Sequence, residues 1–380
     1  MPELTLGVLF PTTSPSADTA KQCVEAVRVA TELFTPKDWH VRIVEGDPAD
    51  PAAAAREAER LVKAEGAQVI VGTLRSELCL TASERASALG AVYWEAIASA
   101  DEVTTRRLPR VFRLDGNATA FAGSGIEFLA DVLVPSWGVA PKDLAVAAAV
   151  EDTSFPESFG RAAMEHASRG GFAAKGVVTC PLASEDYTAQ LDQLDAWGTT
   201  VLFSAGFHPM VARLWKALVK RRPKLRAVIG ISNWAFPRDP EIARTGYERA
   251  FAIGAPYLFS ADRAGLGPQR EVLERWWARS STPAAQMVAV DRDLVFSAAW
   301  VLLAHVLPRA RSATPEALAD AARAVDLPLG STPVGYGARF DESGTNTRLW
   351  ALLMQWQDGK RLAVYPERYA VARPDTSPIF

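Results

Sequence analysis

Three cysteines and four histidines in 380 residues leave little material for a disulfide framework or a metal centre. Cys23, Cys79 and Cys180 are far apart and show no CxxC or Cys/His spacing. At most one disulfide could form, one thiol is left over, and the redox compartment stays open. His40, His166, His208 and His305 are equally scattered, so no metal is expected. No run approaches the ~18 consecutive apolar residues that a spanning helix needs. Neither sign of charge is in surplus: 41 basic against 44 acidic side chains give a net charge of −3 and a pI of about 5.9. That balance offers no basic footprint, and nucleic acid is excluded as the expected partner. No GxGxxG follows the first apolar run, and no GxxxxGK[ST] or GxSxG occurs; the nearest match, Gly123-Ser124-Gly125, lies inside a helical stretch. Neither a nucleotide cofactor nor an elbow serine is therefore expected. The acid pairs Glu151-Asp152 and Glu185-Asp186 read as solvated loop residues, so the expectation is a binding protein, without a cofactor, and not an enzyme.

Hydrophobic residues at 49% and charged residues at 22% describe a globular chain, long enough at roughly 100–200 residues per domain for two domains. Short apolar runs alternate with segments of helical period from the N-terminus to residue 255, the βαβ pattern of parallel sheets. The strand runs are Leu4–Phe10, Val41–Val44, Val69–Val71, Ala91–Trp94, Val111–Leu114, Leu144–Val150, Ala174–Val178, Val201–Phe203, Ala227–Ile231 and Phe251–Gly254. Helices are expected over Thr19–Leu33, Pro51–Lys63, Glu77–Leu89, Ala120–Leu133, Ser158–Arg169, Tyr187–Ala196 and Pro209–Lys220, with Asp50-Pro51 as N-cap and first-turn proline. One α/β set ends near Asn117 and another starts near Leu144. Later segments, Glu271–Arg279, Asp291–Leu307 and Pro315–Ala324, are helical, and strand character returns at Trp350–Trp356. These late helices must cover an earlier sheet, so the chain crosses between lobes more than once.

Ligands of open parallel sheets bind beyond the carboxyl ends of the strands, where loops are exposed and helix N-termini offer free N–H groups. In the first lobe those loops carry hydroxyls: Thr12-Thr13-Ser14, Thr73 to Ser76, and Glu95 to Ser99. In the second they carry rings: Glu151 to Phe155, Ala205 to His208, and Ser232-Asn233-Trp234. A small molecule with a polar head and an apolar body suits that division. Ser76 reads equally as the N-cap of a helix from Glu77 or as a ligand contact. Arg75 reads as a solvated charge or an anion partner, and Glu95 as a rim carboxylate or the partner of a cationic group.

Taken in order along the whole chain, several stretches resemble the type I periplasmic binding proteins, in particular the branched-chain amino acid receptors of ABC importers. They are Leu6-Gly7-Val8-Leu9-Phe10-Pro11, Val41–Val44 with Asp47-Pro48 and Asp50-Pro51, Gln68-Val69-Ile70-Val71-Gly72, Pro109-Arg110-Val111-Phe112-Arg113, and above all Gly335–Pro366. The resemblance implies two Rossmann-like three-layer α/β lobes joined by a three-stranded hinge. Lobe one is expected at 1–117 and 256–347, lobe two at 118–255 and 348–380, with crossings near Asn117, Ala255 and Arg348. Carried over by position, the family's carboxylate-binding serine falls on Ser76, the contacts after the fourth strand on Ala98 and Ser99, and the first-loop contacts near Thr13 and Asp18. Lobe-two contacts fall on Phe155, Phe207 and Ser232-Asn233-Trp234. The family's acid for the ammonium of an amino acid is missing from Ser232-Asn233-Trp234, and Phe155 replaces a tyrosine. Glu95 or Asp152 is left for a cationic group, and an aromatic or aliphatic acid becomes a contender for the ligand. The function implied is a periplasmic, hinge-closing receptor for a small amino acid, amide or carboxylate, delivering it to an ABC permease; the alternative is a cytosolic amide or amino-acid sensor of the same fold. The start at Met1-Pro2-Glu3, without a basic or apolar leader region, is read as a trimmed leader under the first and as the natural start under the second.

Overall fold

The computed structural model describes residues 1–232, 245, 247–255, 269–281, 291–358 and 360–380. Contacts divide the chain into one unit of Met1–Gly116 with Leu266–Leu349 and a second of Asn117–Gly265 with Trp350–Phe380. Each has its own sheet.

In the first unit the strands are β1 (Glu3–Leu9), β2 (His40–Gly46), β3 (Val69–Gly72), β4 (Val92–Glu95) and β5 (Val111–Arg113), all parallel, in the order β2-β1-β3-β4-β5. The chain reverses its direction of travel across the sheet between β1 and β3, which makes the ends of these two strands the topological switch point. The helix Pro51–Lys63 begins as expected, with Asp50 accepting from the Ala53 N–H at 2.7 Å and Pro51 in the first turn. The late helix Asp291–Val301 packs on the helix Ala17–Phe34, with Phe34 and Phe296 edge to face at 6.1 Å. It is also fastened to β4, because the buried Trp94 Nε1 donates to the Ala298 carbonyl at 2.9 Å.

The second unit contains β6 (Ala145–Glu151), β7 (Ala173–Cys180), β8 (Val201–Gly206), β9 (Ala227–Ser232) and β10 (Phe251–Gly254), then β11 (Leu352–Gln357) and β12 (Lys360–Tyr365). Its order, β12-β11-β10-β9-β8-β6-β7, repeats that of the first sheet over the parallel strands and adds an antiparallel hairpin from the end of the chain. The switch point here lies between β6 and β8. Alternation along β6 buries both faces: Val146, Ala148 and Val150 enter one apolar cluster, Ala147 and Ala149 the other. Strand β12 went unread because Lys360 and Arg361 open it at a sheet edge, where one face meets water.

Two helices end differently from expectation, for one reason. The helix Ala118–Phe128 widens into a π-turn at Leu129–Leu133 before Val134–Trp137, and Asp291–Val301 widens at Leu302–Val306 before Leu307–Arg309. Pro135 and Pro308 stand just beyond; a proline has no N–H to continue the ladder, and the preceding turn loosens. The stretch Ala118–Trp137 is long and apolar enough to cross a membrane by length and composition alone. Its apolar face, including Phe121, Ile126, Leu129 and Leu133, lies in the core of the second unit while Glu127 and Asp131 are exposed, the pattern of a core helix.

Trp94→Ala removes a fully packed ring together with the donor to Ala298. It is expected to cost about 3–5 kcal/mol, read by urea unfolding followed by circular dichroism, with hydrogen-exchange protection of β6 and β8 unchanged.

Candidate functional site

At the switch point of the first unit, the chain leaves β3 through Gly72. A Cβ there would lie 2.3 Å from the Leu9 carbonyl oxygen of β1, so the close approach of the two strand ends requires glycine. The helix Ser76–Ala88 follows at once. Arg75 occupies its N-cap and has no side-chain cap; its Nε lies 3.6 Å from Glu77 Oε2. Ser76 is therefore the first helical residue and not the cap. It is buried, and its Oγ accepts instead from the Ala100 N–H at 3.2 Å, tying the β3 loop to the β4 loop.

Glu95, the last residue of β4, corrects a second expectation. It is neither a rim carboxylate nor placed to meet a cationic group from solution. Its side chain has no solvent exposure, and Oε1 accepts the N–H groups of Ala96, Ile97 and Ala98 at 2.8, 2.7 and 2.6 Å. The carbonyls of the same loop are held by Arg113, whose guanidinium donates to Ala100 at 2.6 Å and more distantly to Ala98 at 3.5 Å, and also to Thr104 Oγ1. Ser99 Oγ donates to the Ile97 carbonyl at 2.9 Å and lies 3.4 Å from Asp115. One donor in this loop is left over. Among the described residues no group accepts the N–H of Ser99, nor that of Ser76 at the helix N-terminus. Two unclaimed N–H groups near a positive dipole end are what an anionic group needs. Thr13, from the β1 loop, is exposed, with Oγ1 donating to Asp47 Oδ2 at 2.7 Å.

In the second unit Glu151 closes β6 as Glu95 closes β4. It too has no solvent exposure, and Oε2 accepts the Phe207 N–H at 2.8 Å, joining the ends of β6 and β8. Phe207 is 37% exposed and caps the helix His208–Arg221. Phe155 is not in a loop: the helix begins at Ser154, four residues earlier than expected, and places Phe155 in its first turn, half-buried against Phe159. Asp152 Oδ1 accepts the Leu182 N–H at 2.8 Å, which commits it to bracing the loop after β7. Asn233 and Trp234 lie outside the described residues, just past Ser232 at the end of β9. The structure thus brings Ser76, Ala98 and Ser99 together in one unit, and the segments of Asp152, Phe155 and Phe207 together in the other. Arg113 and Asp115 were missed, and Glu151, expected as a solvated loop acid, is fully buried at the end of β6; the signal for each was a charged residue at or just after the end of an apolar strand.

The first part of the stretch that carried the strongest resemblance, up to Asn346, serves as a strap on β5, and the rest contains β11 and β12. Asp341 Oδ1 accepts from the N–H groups of Ser343 and Thr345, and the Gly344 carbonyl accepts the Arg113 N–H at 2.9 Å. Asn346 Nδ2 donates to the Leu114 and Gly337 carbonyls at 2.9 and 3.0 Å.

The model of the family described as periplasmic binding protein matches residues 3–361. The chain belongs to that family. It is similar to Leu/Ile/Val-binding protein homolog 7 of Brucella suis, 26% identical over 380 residues, covering 97% of this chain and 93% of the relative. Among solved structures, a putative branched-chain amino acid ABC transporter protein from Silicibacter pomeroyi superposes with a TM-score of 0.79 at 14% identity over 100% of both chains. A solute-binding protein of an ABC transporter from R. palustris, in complex with benzoate, superposes with a TM-score of 0.70 at 14% identity over 99% of both chains. Periplasmic binding proteins of this type have two parallel-sheet α/β lobes, and they bind solutes without being enzymes.

Two outcomes follow. Gly72→Ala forces a methyl group onto the Leu9 carbonyl and is expected to cost about 3 kcal/mol in chemical denaturation. Burial pushes Glu95 and Asp115 up to about 7 and Asp293 up to about 6. The folded chain then holds protons that the unfolded chain has released, so stability falls as pH rises from about 4 through 7. His305, lowered by burial, opposes them as one group against three. The melting temperature is expected to be about 3–6 °C higher at pH 5.5 than at pH 8, measured by scanning calorimetry.

Proposed function

We propose that this periplasmic binding protein is the extracytoplasmic receptor of an ABC importer and takes a small carboxylate-bearing solute with an apolar body. The observation that carries the reading is the pair of buried serines, Ser76 at a helix N-terminus beside the switch point and Ser99 in the loop after β4, whose N–H groups are unclaimed among the described residues. A carboxylate fills that vacancy in donors. Phe155 and the exposed Phe207 supply an edge suited to the apolar body. In this reading the solute shifts the protein toward the conformation for which it has the higher affinity. A membrane permease then receives the liganded form.

The names of similar proteins support two ligand classes, branched-chain amino acids and benzoate. The acids that sequence put forward for an ammonium weigh toward the second. Glu95 is sealed off with Oε1 on three N–H groups, and Asp152 gives Oδ1 to the Leu182 N–H.

A thermal-shift comparison of benzoate, leucine and isoleucine tests the reading. Benzoate is expected to give the largest shift, equivalent to about 2.7 kcal/mol at a hundredfold excess over Kd. Phe207→Asp is expected to abolish it while moving the unliganded melting temperature little, because the ring is partly exposed. No shift with any of the three contradicts the ligand class.

A further inference from the structure

Each unit ends one strand of its binding edge in a glutamate that water does not reach. Glu95 takes three successive N–H groups of its own loop, and Glu151 takes the N–H of Phe207, just past the neighbouring strand β8, and accepts from Thr153 Oγ1 at 3.3 Å. Stability alone does not call for them. A buried carboxylate is expensive to desolvate, and an apolar side chain of similar volume often serves packing as well or better. What an apolar residue cannot do is claim backbone N–H groups in a set pattern. With 96, 97 and 98 claimed by Glu95 and 100 by Ser76, Ser99 is the residue of this loop whose N–H is left. Arg113, holding the carbonyls of Ala98 and Ala100, keeps the loop from turning over to exchange donors.

We propose that Glu95 and Glu151 are positioning residues for solute binding, which never touch the solute and act by deciding which backbone N–H groups and which ring each edge presents. The proposal rests on the receptor reading for what is presented, but the loop-setting role of Glu95 is measurable without any ligand. Glu95→Met removes the acceptor and keeps the volume; Glu95→Gln keeps an oxygen where Oε1 stands. Two readouts are taken on the full chain: amide hydrogen exchange over residues 96–100 by mass spectrometry, and affinity for benzoate and leucine by calorimetry.

Glu95→Met is expected to speed exchange in that segment by about 100-fold and to weaken binding by about 30-fold, with the melting temperature close to that of the native chain. Glu95→Gln is expected to restore both to within about threefold, a rescue that a space-filling role does not predict. If exchange over 96–100 in Glu95→Met matches the native chain, or if it rises while affinity for a bound probe is unchanged, the proposal is overturned. If the native chain binds neither probe, the proposed ligand class fails, and the exchange result alone decides the positioning role. Should Glu95→Met not fold, Glu151→Met tests the same role in the second unit, where Oε2 accepts the Phe207 N–H: faster amide exchange over residues 206–208 supports the proposal, and exchange matching the native chain overturns it.

Discussion

A carboxylate sealed from water accepts three backbone N–H groups in a row, and the first unit's binding edge follows from that arrangement. Glu95 turns the chain at the end of β4 so tightly that the Ala96, Ile97 and Ala98 donors converge on a single oxygen. The remaining polar groups of the loop are then met from outside it: Ser76 takes the Ala100 N–H, and Arg113 takes carbonyls. Such a loop is pre-organised, with its donors and acceptors already set by contacts within the protein. The local cost is desolvation, which shows as the upward displacement of Glu95 and Asp115 to about 7.

The two units build comparable edges from the same strand order. Each places its candidate loops on the strands that flank a switch point, β1 and β3 in one, β6 and β8 in the other, with β4 and β9 next in line. Each uses a buried strand-end glutamate to set a neighbouring loop. Their chemistry differs: the first presents small hydroxylated residues and N–H groups, the second a half-buried and an exposed phenylalanine.

The alternation of apolar strands and helical segments was legible in the sequence because parallel strands are buried on both faces and read as continuous apolar runs. That is why β1, β6 and β8 fell where the pattern put them. What failed was governed by single residues. Pro135 and Pro308 loosen helices one turn upstream of themselves, and Lys360-Arg361 disguises an edge strand. At the candidate site, residue type was legible and orientation was not. Ser76 has the composition of a cap but donates its role to Arg75 and bonds across to Ala100. Glu95 and Asp152 look like partners for a solute, yet each turns one carboxylate oxygen to backbone N–H groups of its own unit. Burial of a charge at a strand end is decided by the loop that folds over it, and no periodicity announces that.

The central claim is that the unclaimed N–H groups of Ser76 and Ser99 receive the acidic group of the solute. A crystal structure of the protein grown with benzoate measures it directly. The account predicts carboxylate oxygens within about 3 Å of both amide nitrogens, with Glu95 still on its three N–H groups. Benzoate bound with its carboxylate elsewhere, or Glu95 rotated out to meet the solute, would contradict it.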